Sequence, residues 1–188
     1  MVSNTSFFLI FYLHLNSIIK RKQHTSHHLR AIIIDYNLKN KKLCLDNLIS
    51  ETLRIHSPYP FLLRRTTKDY ELPNSIFMLK KGNHLIIPTS AIHNDAEYYE
   101  HPEKFYPEHF HSKEVQNRPT CAFLPYGMGS RSCLARHFIE QQMLVCLVTL
   151  LKLFRFTPCQ DTVIPLAYDN TKILRKPKKD IKLMVKKL

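Results

Sequence analysis

The spacing of apolar residues changes several times along the chain, and each change predicts an element. From Leu43 to His56 apolar residues recur in steps of three and four until prolines follow, which predicts a short amphipathic helix. Short β-rich runs come next and predict a small antiparallel sheet: Leu62–Tyr70, Ile76–Leu79 and Leu85–Ile87. The stretch from Leu134 to Phe156 lacks Gly and Pro and is apolar nearly all round, which predicts a long buried helix.

Between the predicted sheet and the long helix, residues 94–120 are polar, aromatic and proline-rich, with neither helical nor strand period. They predict a long ordered loop or a series of turns. Together these elements predict a mainly α fold with a small antiparallel β-sheet, in the α+β class.

The N-terminal region has a different pattern. The apolar run within Ser6–Ile19 is too short and too polar for a clear membrane span, which leaves a weak membrane anchor and a poorly ordered leader as alternatives. We therefore predict a leader or linker over residues 1–42 and a folded part over residues 43–188.

Composition limits the class of protein. The 188 residues are 44% hydrophobic, which is enough for a packed core. The net charge of +13 predicts attraction to nucleic acid, an anionic membrane surface or an acidic protein, and charge alone does not choose among them. In Lys172–Leu188 basic residues alternate with apolar ones, which favours a strand with one solvated face over a nucleic-acid patch.

The five cysteines are odd in number and widely spaced, so they predict neither a disulfide framework nor a zinc site. Cys133 has distinct surroundings, because it lies in a glycine-containing loop at the start of the long helix. The helix N-terminus and Arg131 both favour a thiolate there over a thiol. Such a thiolate could be a nucleophile, a redox sensor or a metal ligand, and a merely buried thiol is the plain alternative.

The loop around this cysteine carries a recognisable motif. It reads Tyr126-x-x-Gly129-x-Arg131-x-Cys133-x-Ala135 and resembles the cysteine-ligand loop of the cytochrome P450 family, FxxGxRxCxG, with Tyr for the first position and Ala for the last. The resemblance implies that Cys133 is the thiolate ligand of haem iron and that Arg131 pairs with a haem propionate. It also implies that Gly129 lets the backbone approach the porphyrin.

A second motif lies upstream. Glu51-x-x-Arg54 resembles the family's ExxR signature, and residues at i and i+3 of a helix can pair. The segment Pro107–Phe110 stands where the family has Pro-Glu-Arg-Phe, so His109 replaces the arginine. The resemblance implies a buried triad of Glu51, Arg54 and His109 that braces the haem side. Because histidine lacks the five-donor fork of arginine, we expect this brace to be weakened.

Two further positions follow from the same resemblance. Arg64 falls where the family has a second propionate-binding basic residue, and His93-Asn94-Asp95 resembles its His-Arg-Asp turn. The resemblance implies that Arg64 and His93 contact haem, although a lone histidine is more often structural.

The chain therefore resembles the truncated C-terminal portion of the cytochrome P450 fold. The family's function would be a haem-thiolate monooxygenase that hydroxylates apolar small molecules with O2. Its cofactor is haem, iron protoporphyrin IX, and its electrons come from NADPH through NADPH-cytochrome P450 reductase. The resemblance also implies the cytosolic face of the endoplasmic reticulum membrane, contact with the membrane surface, and no nucleic acid partner.

Residues 1–42 offer no candidate for the family's long distal helix, so we assign no catalytic residue and expect a fragment. One alternative is an inactive remnant that binds haem weakly or not at all. Another is a small basic membrane- or nucleic-acid-binding protein whose resemblance to the family is accidental.

Overall fold

The computed structural model describes residues 39–163, 166–169 and 171–188, with side chains from residue 45 onward. The predicted weak anchor in Ser6–Ile19 and most of the predicted leader lie outside these residues. The first described helix, α1, spans Lys39–Ile55, so the predicted boundary at residue 42 falls within a helix.

The α+β class is confirmed. The other helices are α2 (Thr89–His93), α3 (Ser112–Asn117) and α4 (Arg136–Leu153). The strands are β1 (Leu62–Arg65), β2 (Tyr70–Glu71), β3 (Met78–Leu79), β4 (His84–Ile87), β5 (Phe154–Pro158) and β6 (Leu183–Lys187). No helix of the described part reaches the length and apolar character that crossing a membrane requires.

The strands of the described part form three antiparallel pairs rather than the single predicted sheet. Strand β1 pairs with β4, with Leu63 opposite Ile86. Strands β2 and β3 form a hairpin within the connection from β1 to β4, and Tyr70 lies opposite Leu79. Strands β5 and β6 form the third pair, which brings the chain's last strand onto the end of α4.

The predicted C-terminal end of the long helix was wrong. Helix α4 ends at Leu153, and Phe154–Pro158 continues directly as strand β5. Hydrogen bonding with β6 overrides the helical pattern there, because its aromatic and β-branched residues suit a strand and Pro158 stops a helix.

The predicted all-round burial of α4 was also wrong. Met143, Leu144 and Leu147 are buried, whereas Phe138 and Val145 are 63% and 61% exposed. Helix α4 therefore packs one face into the core, and its solvent-exposed face also carries apolar residues.

The core forms where α1 and α4 meet. Its fully buried members come from both helices and from the loop before α4: Leu45, Leu48, Ile49, Leu53, Tyr126, Met143, Leu144 and Leu147. Burying each large aliphatic side chain stabilises the fold by about 1.5–3 kcal/mol. The loop from Tyr126 to Cys133, here called the cysteine loop, is therefore built on the contact between the two longest helices of the described part.

Residues 94–120 consist largely of turns, as predicted, but a 3-10 turn at Pro107–Phe110 is followed by the short helix α3, which was not predicted. Tyr99 is 1% exposed, and its hydroxyl donates a hydrogen bond to the Ala122 carbonyl at 2.9 Å. The guanidinium of Arg118 lies 4.2 Å from the Tyr99 ring centroid. These contacts give the segment a small core of its own.

Candidate functional site

A buried ion pair joins Glu51 and Arg54, which lie one turn apart on α1 and are both 0% exposed. Arg54 donates from Nε to Glu51 Oε2 and from Nη2 to Glu51 Oε1, each at 2.8 Å. This two-pronged geometry is the strongest arrangement between a guanidinium and a carboxylate.

The remaining donors of Arg54 point at backbone carbonyls beyond α1. Nη1 donates to the His93 carbonyl at 2.7 Å. Nη2 donates to the carbonyls of Pro102 and Lys104 at 2.9 and 3.1 Å. Because a buried charge is tolerated only when its donors are satisfied, these bonds let Arg54 tie α1 to both α2 and the segment after it.

His109 completes this cluster. Its Nδ1 lies 3.3 Å from both carboxylate oxygens of Glu51, and its Nε2 lies 2.7 Å from the Glu100 carbonyl oxygen. The Tyr106 N–H also donates to Glu51, at 2.9 Å. Burial alone would raise the pKa of Glu51, but the bonds from Arg54 and His109 outweigh it and hold that pKa below its ordinary value.

The structure thus brings together the three side chains of the predicted brace, Glu51, Arg54 and His109. A single ring nitrogen of His109 faces the carboxylate at a long distance, where an arginine fork would offer two parallel donors. This geometry is in keeping with the expected weaker brace.

His93 lies at the C-terminal end of α2 and is 0% exposed. Its Nε2 accepts a hydrogen bond from the Leu124 N–H at 2.8 Å, so the ring proton is on Nδ1, which lies 3.2 Å from the Arg54 carbonyl. Burial is the main reason that the pKa of His93 falls to about 4, so the ring is neutral.

In this arrangement both ring nitrogens of His93 are engaged by backbone groups, and the ring is enclosed by protein. His93 holds Leu124, two residues before Tyr126, and so positions the start of the cysteine loop.

The cysteine loop is closed by a backbone bond, because the Cys133 N–H donates to the Tyr126 carbonyl at 2.9 Å. A 3-10 turn at Gly129–Arg131 lies inside the loop, and α4 begins at Arg136. The Arg136 N–H donates to the Cys133 carbonyl at 3.3 Å. Cys133 is a half-buried free thiol just before the first turn of α4, near the place that the sequence predicts.

Two glycines with positive φ shape the loop. Gly127 has φ +72°, and a Cβ there would lie 3.5 Å from Arg64 Nη2 and 3.8 Å from the Arg131 carbonyl oxygen. Gly129 has φ +77°, and a Cβ there would have no heavy atom within 4 Å. A Cβ at Gly127 would make only ordinary van der Waals contacts, so both glycines are needed for their left-handed backbone conformation.

The predicted cofactor residues are grouped around this loop. Arg64 on β1 lies against Gly127, and the side chain of Arg131 is exposed. Ala135 has φ −87°, which any residue adopts, so its replacement of the family's glycine causes no backbone strain. Leu134, directly after Cys133, is fully exposed.

These features fit a flat apolar group with acidic substituents. The thiol of Cys133 is a soft ligand for iron once it is deprotonated. The guanidiniums of Arg64 and Arg131 suit carboxylates, and Leu134 offers apolar surface next to the thiol. The donor set therefore fits the haem that the motif implies.

Tyr126, which replaces phenylalanine in the motif, introduces a polar atom into the core. Its side chain is 9% exposed, and its hydroxyl has no hydrogen-bond partner within the described residues. Burial raises the pKa of Tyr126 well above its ordinary value. The ring itself packs well, with the Arg136 guanidinium 5.4 Å from its centroid.

Sequence reasoning missed Arg118 and Arg175. Arg118 Nη1 donates to the His109 carbonyl at 3.3 Å, and Arg175 Nη1 donates to the Ile55 carbonyl at the end of α1 at 3.1 Å. Arg175 contacts a residue 120 positions away, and Arg118 contacts a residue of the same aperiodic loop. The local sequence pattern therefore predicts neither contact.

Comparisons of the sequence with known proteins give a consistent family. The family model described as Cytochrome P450 matches residues 2–184. "Probable cytochrome P450 6u1" of Drosophila melanogaster is 52% identical over 141 residues, which are 75% of this chain and 29% of that protein.

Similar relatives occur in other insects. "Cytochrome P450 6j1" of Blattella germanica is 39% identical over 143 residues, covering 76% of this chain and 28% of that protein. "Cytochrome P450 6B4" of Papilio glaucus is 36% identical over 152 residues, covering 81% of this chain and 30% of that protein. The chain thus spans less than a third of the length of these relatives.

Proposed function

Because the chain belongs to the cytochrome P450 family, we propose that it is the haem-binding portion of a haem-thiolate monooxygenase, with Cys133 as the iron ligand. The observation that carries this proposal is the half-buried free thiol of Cys133, held in a closed loop between Arg64 and the start of α4.

Each residue of the loop would have a separate task in holding haem. Cys133 would ligate the iron as thiolate, and Arg131 and Arg64 would pair with the propionates. Gly129, Tyr126 and Ala135 would set the shape of the surface beneath the ring. Bound haem would supply the electron-rich iron at which dioxygen is activated.

The brace would act on this site from a distance. The brace holds α1 against the segment after α2 through the contacts of Glu51 with Arg54 and His109. His93 connects the brace to Leu124, at the start of the cysteine loop. In this proposal the brace positions Cys133 and does not touch the cofactor.

The reaction, substrate and partners belong to the same proposal. The family relationship supports hydroxylation of an apolar small molecule with O2 and with electrons from NADPH-cytochrome P450 reductase. The net charge of +13 suits an acidic reductase and an anionic membrane surface, as at the cytosolic face of the endoplasmic reticulum. We propose that the haem-binding portion runs from the start of α1 at Lys39 to residue 188, with a leader before it.

A spectroscopic experiment tests the iron ligand. The chain is expressed with a haem precursor, reduced and exposed to carbon monoxide, and its Soret band is recorded. We expect a strongly red-shifted band of the thiolate type, which Cys133→Ser removes. The matched control is Cys121→Ser, because Cys121 is an exposed free cysteine, and it should keep the band.

Two results would contradict the proposal. One is a folded chain without bound haem, which would favour the inactive remnant. The other is a band typical of a nitrogen or oxygen ligand that persists in the Cys133→Ser variant.

A further inference from the structure

Two adjacent threonines, Thr66 and Thr67, follow strand β1 and differ in what their side chains contact. The Thr66 hydroxyl donates to the Lys80 carbonyl at 2.5 Å, and the Thr66 N–H donates to the Asn83 carbonyl at 3.0 Å. Thr67 is exposed, and its hydroxyl makes no hydrogen bond with any residue that the structure describes. Thr66 therefore fixes the end of β1, whereas the Thr67 hydroxyl is open to a reagent from outside.

The residues around Thr67 form a cationic segment. Arg64 and Arg65 occupy the third and second positions before it, and Lys68 follows it. No other two arginines are adjacent anywhere in the sequence. Protein kinases select substrates partly by charge pattern, and kinases with an acidic substrate cleft take arginines on the N-terminal side of the acceptor hydroxyl. The charge pattern and the exposure therefore identify the same hydroxyl.

The backbone around Thr67 is accessible to another protein. Residues 67–71 are exposed without interruption. Thr67 and Lys68 form the bend between β1 and β2, and neither makes a backbone–backbone hydrogen bond with the described residues. The acceptor and the residue after it can therefore enter a kinase cleft without the loss of a strand-pairing bond.

The two arginines lie on opposite faces of β1, because successive residues of a strand alternate. Arg65 is exposed, and its Nε donates a long hydrogen bond to the Gly82 carbonyl at 3.3 Å. Arg64 is half-buried, and its Nη1 donates to the carbonyl of the preceding residue, Leu63, at 2.8 Å. Neither guanidinium is paired with a carboxylate among the described residues, so both are available to acidic groups of a partner.

A phosphate on Thr67 would have cations close by in sequence. Arg65 would exchange its long bond to a neutral carbonyl for charge-assisted bonds to phosphate oxygens, and Lys68 is exposed next to the acceptor. Asp69, the acidic residue nearest in sequence, is already engaged by the Lys81 N–H at 2.8 Å and by Lys80 Nζ at 3.1 Å. These contacts of Asp69 leave Arg65 and Lys68 to the phosphate.

We propose that Thr67 is a phosphorylation site for a protein kinase that recognises arginines before the acceptor. The γ-phosphoryl group of ATP passes to Thr67: the Oγ1–P bond forms, the bond from that phosphorus to the β–γ bridging oxygen breaks, and ADP leaves. The hydroxyl proton goes to the catalytic carboxylate of the kinase.

The modification would change the charge of the whole segment. Residues 64–69 contain three basic side chains and one acidic side chain, which gives a net charge of +2. A phosphate of about −1.5 to −2 at pH 7 makes the segment nearly neutral. The site would therefore control how strongly this surface attracts an acidic partner, and it does not depend on haem binding.

Phosphate incorporation into the folded whole chain tests the site. The chain is incubated with magnesium ATP and the catalytic subunit of cAMP-dependent protein kinase, and intact and fragment masses are recorded. We expect about one phosphate per chain, carried by Thr67. Thr67→Val, which keeps the shape of the side chain, should lower the initial rate by at least about tenfold. The matched control is Thr120→Val, at an exposed threonine with a single arginine two residues before it, and it should leave the rate unchanged.

A second variant tests the recognition by arginine. Arg65→Gln keeps the Thr67 hydroxyl and should lower the initial rate by at least about tenfold, because the kinase loses a charged contact. The urea midpoint of this variant should equal that of the unaltered chain, since Arg65 is exposed and makes one long hydrogen bond. A lower rate at an equal midpoint separates lost recognition from lost folding. The Soret band reports separately on the proposed haem site.

Three outcomes would overturn the phosphorylation site. They are a folded chain that takes up no phosphate, equal incorporation in the Thr67→Val variant, and incorporation that occurs only after unfolding in urea. The last would show that the fold protects Thr67 from a kinase. An equal rate in the Arg65→Gln variant would contradict recognition by arginine.

Discussion

Arg54 and His93 hold each other through two opposed hydrogen bonds. The Arg54 guanidinium donates to the His93 carbonyl at 2.7 Å, while His93 Nδ1 donates to the Arg54 carbonyl at 3.2 Å. The other ring nitrogen of His93 accepts the Leu124 N–H. The two residues therefore connect α1, α2 and the entry to the cysteine loop in one buried network.

Removing Arg54 should be strongly destabilising. Arg54→Ala leaves the Glu51 charge buried without its main partner, and we expect a loss of about 3–5 kcal/mol in the free energy of unfolding. Urea denaturation followed by circular dichroism measures it. The control is Lys182→Ala, which breaks the exposed pair with Asp161 and should cost less than about 1 kcal/mol. Comparable losses in both variants would contradict a special role for the buried pair.

Substitutions at His109 test the weakened brace. His109→Arg restores a two-pronged partner for Glu51 and should slow the transfer of haem to excess apomyoglobin, whereas His109→Ala should speed it. The Ala variant should also lose about 1–3 kcal/mol of stability, because it lacks the buried contact of His109 with Glu51 and the partly buried one with the Glu100 carbonyl. His111→Ala, at an exposed neighbouring histidine, serves as the control. Equal haem transfer in the Arg variant and the unaltered chain would show that the weaker brace has no consequence.

Acid should destabilise the fold through two buried histidines. Burial lowers the pKa of His93 to about 4 and that of His56 to about 3, from an ordinary value of 6.5. The unfolded chain therefore binds more protons than the folded one below pH 6.5, and stability falls as pH falls. From pH 6.5 to 5 we expect a loss on the order of 2 kcal/mol per histidine.

The pH dependence of the urea midpoint measures this effect. His93→Gln does not titrate, so it should lower stability at pH 7 and flatten the decline between pH 6.5 and 5. The exposed His137 should give no such flattening when changed to Gln. A decline that stays equally steep in the His93 variant would rule out its contribution.

The unpartnered hydroxyl of Tyr126 predicts a stabilising substitution. Tyr126→Phe removes a buried group without a hydrogen bond and should raise the free energy of unfolding by about 1–3 kcal/mol. The same change at Tyr99, whose buried hydroxyl bonds to the Ala122 carbonyl, should lower it by about 0.5–1.5 kcal/mol. Thermal or urea unfolding compares the two variants, and a change of the same sign in both would disprove the distinction.

The features that the sequence predicted well depend on residues close together in the chain. Glu51 and Arg54 are neighbours by helical spacing, and the loop from Tyr126 to Cys133 is a contiguous motif. The periodicity of α1 also predicted a helix that the structure contains. Local spacing is enough for such features, because the helix or the loop itself brings the residues together.

The features that the sequence did not predict depend on distant partners. Strand β5 forms because β6 pairs with it, and nothing within Phe154–Pro158 indicates that partner. The environment of His93 comes from Arg54 and Leu124, which lie 39 and 31 residues away. A short polar motif therefore identified His93 as important, but the local sequence could not predict which backbone groups its ring contacts.

The link from His93 to Leu124 also has a consequence for how the protein matures. During synthesis α1 and α2 leave the ribosome before the thiol does. Because the Leu124 N–H finds its partner on α2, we expect the loop to take its final shape after those two helices have docked. Haem capture would then be one of the last steps of folding. A chain in which α1 and α2 had not yet docked would expose Cys133 in a loop that lacks the hydrogen bond from Leu124 to His93.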